Sequence, residues 1–312
     1  MLPRLGIEFD YWNDMKASHW PSFDELLMMD WNKLSLDQQM RHWYEPSYHP
    51  SLMPLLRYHF PGIETIDRSY SQALQDIFIL TFLNGKTNGT YLEIGCFHPT
   101  KINNTRLLED FGWTGVSIDN CPQMQTFWQE KRPNSTFILH DAFDIDYNKL
   151  VDQYSLPDQI DFLQTDVDAG ELDIVLLERV LLTGRRFSII MFEHNLFLGS
   201  SYEKIASTKL LEDHGYQKIV DNIACKDSER EKFVAFEDWW VDPSAVSSDI
   251  INKFMTLGQD LVHPLNLLCI PESIDYLMHP VWKQKNIWKP FEKTSHSIAK
   301  TYNLDSNTDS NT

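Results

Sequence analysis

The feature that most constrains this chain is a rhythm running from about residue 71 to residue 241. Short apolar runs of strand length, several of them closing on an acid, alternate with segments of helical character. Residues 90–94, 115–119, 136–139, 161–166 and 187–192 read as strands, the first of them after the turn Asn88-Gly89. Residues 75–82, 105–110, 124–130, 171–182 and 202–214 read as the helices between and around them, and Gly215 suits a C-terminal cap. Strands and helices alternating in this way predict βαβ units wound around a parallel sheet, an α/β fold. Residues 218–222 and 232–236 are expected to close it as an antiparallel pair, and 249–257 to form a later helix.

Charge and composition narrow the partners. The 312 residues carry 27 Lys and Arg against 45 Asp and Glu, a net charge of −18. Such a field repels phosphate backbones, so no nucleic-acid partner is expected. No run approaches the apolar length of a membrane span, and the first residues lack the basic and apolar regions of a signal peptide. The four cysteines form no CxxC pair. A soluble, cytoplasmic protein without a membrane partner is the expectation, its oligomeric state left open. Residues 1–66 form an aromatic-rich extension with a capping box at Ser22 and Glu25, expected to pack on a main domain of residues 67–242. Residues 243–302 form a second extension anchored by Trp282, Trp288 and Phe291, and residues 303–312 an unstructured tail.

The chemistry sits at the strand ends. Tyr91-Leu-Glu93-Ile-Gly95-Cys96-Phe-His98 is a strand ending in an acid and a glycine turn, which is how doubly wound folds receive a nucleoside. A dinucleotide site wants three glycines so that the backbone can approach a pyrophosphate, and only one is present. One glycine and an acid favour a cationic, phosphate-free ligand such as S-adenosylmethionine over NAD. Asp119, ending the next strand, is placed to accept hydrogen bonds from a ribose, and Asp141-Ala142 to meet an adenine.

Several ordered motifs resemble the FkbM-type methyltransferases. They are Ser71-Gln72 with Gln75-Asp76, Leu92-Glu-Ile-Gly95, Asn103-Asn104-Thr105, Leu108-Glu109 and Gly112-Trp113-Thr-Gly115. Further along come Ile160-Asp-Phe-Leu-Gln-Thr-Asp166-Val-Asp168, Glu171, Phe192-Glu193-His194, Gly215-Tyr216 and Phe236-Glu-Asp238-Trp-Trp240. The resemblance implies a Rossmann-like class I fold, a mostly parallel seven-stranded sheet with helices on both faces. It implies methyl transfer from S-adenosylmethionine to a hydroxyl of a sugar or other small polar acceptor. Where the family carries Asp-x-Glu-Gly, this chain has Asp166-Val-Asp168-Ala-Gly170, a shortened acid and an inserted alanine.

Carried across by position, Glu93 and Gly95 frame the methionine end of the cofactor, and Cys96 borders it after the turn as a packing residue rather than a nucleophile. Asp119 and Asn120 lie at the ribose and Asp141 and Ala142 at the adenine. Ser71, Gln72, His98 and Asn104 lie at the pocket mouth, and Asp166, Asp168, Glu193 and His194 converge on the acceptor, Asp166 also bordering the cofactor. His194 is the expected base, because imidazole titrates near neutrality; Glu193 orients it and Asp166 is the rival. The same acids suit a divalent metal, the less favoured reading because clustered acids also bind sugar hydroxyls without one. The alternative is a catalytically inactive interaction module on the same fold.

Overall fold

The computed structural model describes residues 56–194, 196–227 and 232–269. The cap at Ser22 and Glu25, the anchors Trp282, Trp288 and Phe291, and the tail lie outside the described residues.

Seven strands are present: β1 Thr90–Ile94, β2 Thr114–Asp119, β3 Thr136–Leu139, β4 Gln159–Thr165, β5 Arg186–Glu193, β6 Gln217–Asp227 and β7 Lys232–Val241. They form one sheet in the order β3-β2-β1-β4-β5-β7-β6. The first five run parallel, while β7 is antiparallel to both β5 and β6. A parallel sheet closed by an antiparallel hairpin in this order is the Rossmann-like class I methyltransferase layout. The helices are α1 Gln75–Phe82, α2 Arg106–Asp110, α3 Pro122–Lys131, α4 Tyr147–Gln153, α5 Leu172–Leu181, α6 Tyr202–Asp213, α7 Ser248–Phe254 and α8 Pro264–Leu268.

Strand alternation divides the core in two. Tyr91, Phe162, Ile189, Met191 and Trp239 face the layer that contains α1 and α7. Leu92, Leu163, Ile190, Phe192 and Trp240 face the layer of α4, α5 and α6. Both faces of the central strands are therefore apolar, which is why those strands read as continuous runs. Full burial of each large side chain is worth about 1.5–3 kcal/mol relative to exposure.

Several expectations are corrected. The closing hairpin is much longer than residues 218–222 and 232–236, and the later helix ends at Phe254 rather than 257. The helices α4 and α8 were not anticipated. No helix among the described residues is long and apolar enough to cross a membrane.

Candidate functional site

Register builds the site. Ile94 lies beside Ile118 of β2 and Thr165 of β4, and Thr165 lies beside Phe192 of β5. One residue further along each strand, the carboxyl edge therefore carries the row Asp119, Gly95, Asp166, Glu193, all on one face, and Glu237 of β7 pairs with Glu193 to extend it. The glycine is the gap in this row. Its φ is +87°, and a Cβ there would lie 1.5 Å from the Asp166 carbonyl oxygen, so no side chain fits. The gap falls where the chain order reverses, with β2 on one side of β1 and β4 on the other.

The acids of the row interact mainly with one another. Burial, then the charge of Asp168, pushes Asp166 up to about 7, against a lowering hydrogen bond with Glu193. Burial and the charges of Asp166, Glu237 and Asp168 hold Glu193 well above the usual carboxylate range. Glu237 is pushed up to about 8 by burial, although it accepts hydrogen bonds from Gln75 Nε2 at 2.9 Å and Trp239 Nε1 at 2.5 Å. Oxygens of Asp166, Asp168 and Glu193 lie within 4.8 Å of one another. That spacing suits either adjacent hydroxyls of an acceptor or a hard divalent cation. Asp168 and Gly170 both have positive φ, 53° and 63°, so the altered loop turns sharply and leaves Asp168 exposed. Behind it, Asp173 is pushed up to about 7 by burial and by Asp166; its Oδ1 is buried without a hydrogen-bond partner among the described residues.

The neighbouring turns are braced by side chains. Asp119 accepts from Phe97 N through Oδ2 and from Cys121 N through Oδ1, both at 2.8 Å, tying the β1 turn to the end of β2. Each oxygen keeps a second lone pair for a ligand. Glu93, almost wholly buried, accepts through Oε2 from Ser117 Oγ at 2.8 Å, Thr105 Oγ1 at 2.9 Å and Asn103 Nδ2 at 3.4 Å. Asp141 is exposed and caps the short 3-10 turn Ala142–Asp144 through Phe143 N at 2.9 Å, and Ala142 is buried beneath it. Asn120 and Gln72 are exposed. Asn104 is buried and donates to Gln164 Oε1 on β4.

Two expected site residues, His194 and Ser71, are placed differently. His194 is 0% exposed, with Nε2 3.2 Å from Asp238 Oδ1 and Nδ1 accepting from Leu196 N. It follows Glu193 at the end of β5, so alternation sends it to the opposite face, and both ring nitrogens are engaged. There Lys204 and Lys218 complete a buried cluster around Asp238. Ser71 is buried and donates to Asp76 Oδ1 at 2.7 Å, fixing the start of α1 rather than lining a mouth. Cys96 is buried against Cys121, Met124 and Trp128, and burial raises its thiol pKa, so packing rather than chemistry accounts for it. His98 is pulled down to about 4 by burial and then Lys101, and its Nδ1 accepts from Thr100 N.

No family model matches this chain, and no curated protein matches it. Among solved structures, it is similar to a TehB-like SAM-dependent methyltransferase from Corynebacterium glutamicum. That match has 11% identity and a TM-score of 0.36, covering 54% of this chain and 87% of the other. It is also similar to a fibrillarin pre-rRNA processing protein from Methanococcus jannaschii at 15% identity and a TM-score of 0.36, covering 50% and 67%. A precorrin-6y C5,15-methyltransferase from Geobacter metallireducens matches at 17% identity and a TM-score of 0.33, covering 53% and 86%. At these values none of them bears on what this chain binds or does.

Proposed function

We propose that this chain is an S-adenosylmethionine-dependent methyltransferase acting on an oxygen of a small polar acceptor, a sugar hydroxyl being the best match. The observation that carries the reading is the row at the carboxyl edge, with its glycine gap between Asp119 and Asp166. Ligands of open α/β sheets bind where the strand order reverses. A crevice walled by carboxylates repels a diphosphate and attracts a cation that carries a nucleoside. When bound, S-adenosylmethionine supplies a methyl group already activated on a sulfonium.

Under this reading Glu93 and Gly95 frame the methionine end, with Cys96 packed behind the turn. Asp119 holds the ribose beside Asn120, and Asp141 with Ala142 meets the adenine edge. Asp168 and Glu193 bind acceptor hydroxyls, and Gln72, His98 and Asn104 flank them. The chain's main task is to hold the acceptor oxygen about 3 Å from the methyl carbon. Asp166 takes the hydroxyl proton, since a carboxylate held near neutral pH is matched to that transfer. His194 has no nitrogen to spare for it and serves the far face of the sheet.

The test is thermal unfolding with S-adenosylhomocysteine, with NAD as the control. A ligand bound only by the folded state at about 100 times its dissociation constant stabilises by roughly 2.7 kcal/mol. For a chain of this size that is a rise of about 4 °C. Asp119→Ala should abolish the rise. A rise with NAD alone, or none with either ligand, would refute the proposal.

A further inference from the structure

Arg132, the residue that closes α3, is a guanidinium with almost no solvent contact, its side chain 1% exposed. It reaches back across the start of the chain's first βα unit. Nη1 donates to Asn103 Oδ1 at 2.8 Å and Pro99 O at 3.3 Å. Nη2 donates to Thr105 Oγ1 at 3.0 Å and Tyr91 OH at 3.1 Å, and pairs with Glu109. The guanidinium lies 4.3 Å over the ring of Trp128, whose Nε1 donates to Phe97 O at 2.8 Å. Arg132 and Trp128 together thus fasten the loop that follows Gly95. Asn103 and Thr105 are also two of the three donors to Glu93 Oε2. A fork with donors in fixed geometry can hold both at once, which a lysine cannot.

We propose that Arg132 is a positioning residue for cofactor binding: through Asn103 and Thr105 it orients Glu93 beneath the glycine turn, and it supplies the fixed positive charge that balances this buried carboxylate. The inference rests on the cofactor reading given above. Electrostatics supports it. Burial pushes Glu93 upward, and the strongest opposing influence is Arg132, followed by Ser117, Thr105 and Asn103. The other titratable groups facing this carboxylate are Tyr91 on its own strand and Cys96 after it, and Glu109 of α2 faces the guanidinium. The adjacent positions on β2 and β4 are Ser117 and Gln164, which do not titrate in this range.

The experiment is calorimetric titration of the full chain with S-adenosylhomocysteine from acid to mildly alkaline pH, comparing wild type, R132M, R132K, T105V and E93Q. Wild-type affinity should fall as Glu93 takes up its proton. In R132M that midpoint should rise by about one pH unit, giving about tenfold weaker binding below it and recovery above it. R132K should fall between the two, and E93Q should bind weakly without this transition. T105V removes one relay hydroxyl with little change of shape, so it should move the midpoint the same way even where R132M does not fold. A purely structural Arg132 would lower affinity equally at every pH. A uniform loss in R132M, or an unmoved midpoint in folded R132M or T105V, overturns the inference while leaving the cofactor reading intact. Absence of binding by the wild type at every pH overturns both.

Discussion

At the scale of single residues, the site depends on carboxylates kept close together against their mutual repulsion. Asp166 shows the cost. Its pKa is raised in the folded state, to about 7, so its contribution to stability is complete below the unfolded value and is lost as pH rises through the folded one. Asp166→Asn should therefore unfold later than wild type at pH above about 7, by on the order of 1–2 kcal/mol after solvent screening, with no difference below about pH 4. The same variant should lose turnover, and wild-type turnover should climb with pH through about 7 as the base is freed. Urea unfolding at two pH values and a pH–rate profile check both halves. A destabilised Asp166→Asn at alkaline pH would contradict the electrostatics.

At the scale of elements, the hairpin of β6 and β7 carries a buried charge cluster within its apolar packing. Asp238 is fully buried and bonded to Lys204, Lys218 and His194. Burial pushes its pKa up, but the His194 hydrogen bond and the charges of Lys204 and Lys218 outweigh it and leave the carboxyl well below its usual range. Asp238→Ala leaves Lys204 and Lys218 with Asp221 as their remaining acid; removal of one partner from a buried pair costs about 3–5 kcal/mol, and the retained pairs hold the loss here to the lower end of that range. A denaturant midpoint within error of wild type would refute this. Because the folded pKa is depressed, the stability from Asp238 is present above its unfolded value and lost only in strong acid. This hairpin also marks where the sequence was hard to read. The strands 90–94 and 136–139 were legible to the residue because they are short and bounded by turns. The second half of β7 is hidden by Glu237 and Asp238, acids inside a strand that only burial with partners makes acceptable. The polar segment Tyr147–Gln153 hid α4, which depends on the Asp146 cap. For the site, the acids were legible from their places at strand ends. The face taken by His194 was not, because β5 runs past its apolar stretch through Glu193, and only that extension carries the alternation on to His194. Arg132 left no signal, since its partners Asn103, Thr105 and Tyr91 are distant in sequence and meet only on folding.

For the whole molecule, the turn after β1 and the loop after β4 touch through backbone at Gly95 and Asp166, with no side chain between them. Under the proposed function one of these segments faces the cofactor and the other carries the base. A ligand that stiffens the first must therefore stiffen the second, because neither backbone can move without displacing its neighbour. The entropy of ordering the loop is then met once, by whichever ligand arrives first. The cofactor is the ligand placed to do so, and the acceptor should bind measurably only afterwards. Product-inhibition patterns should show a compulsory order with S-adenosylhomocysteine leaving last, and random-order kinetics would mean that the two loops move independently. With a compulsory order, a single missing side chain at residue 95 acts as the clock of the reaction cycle.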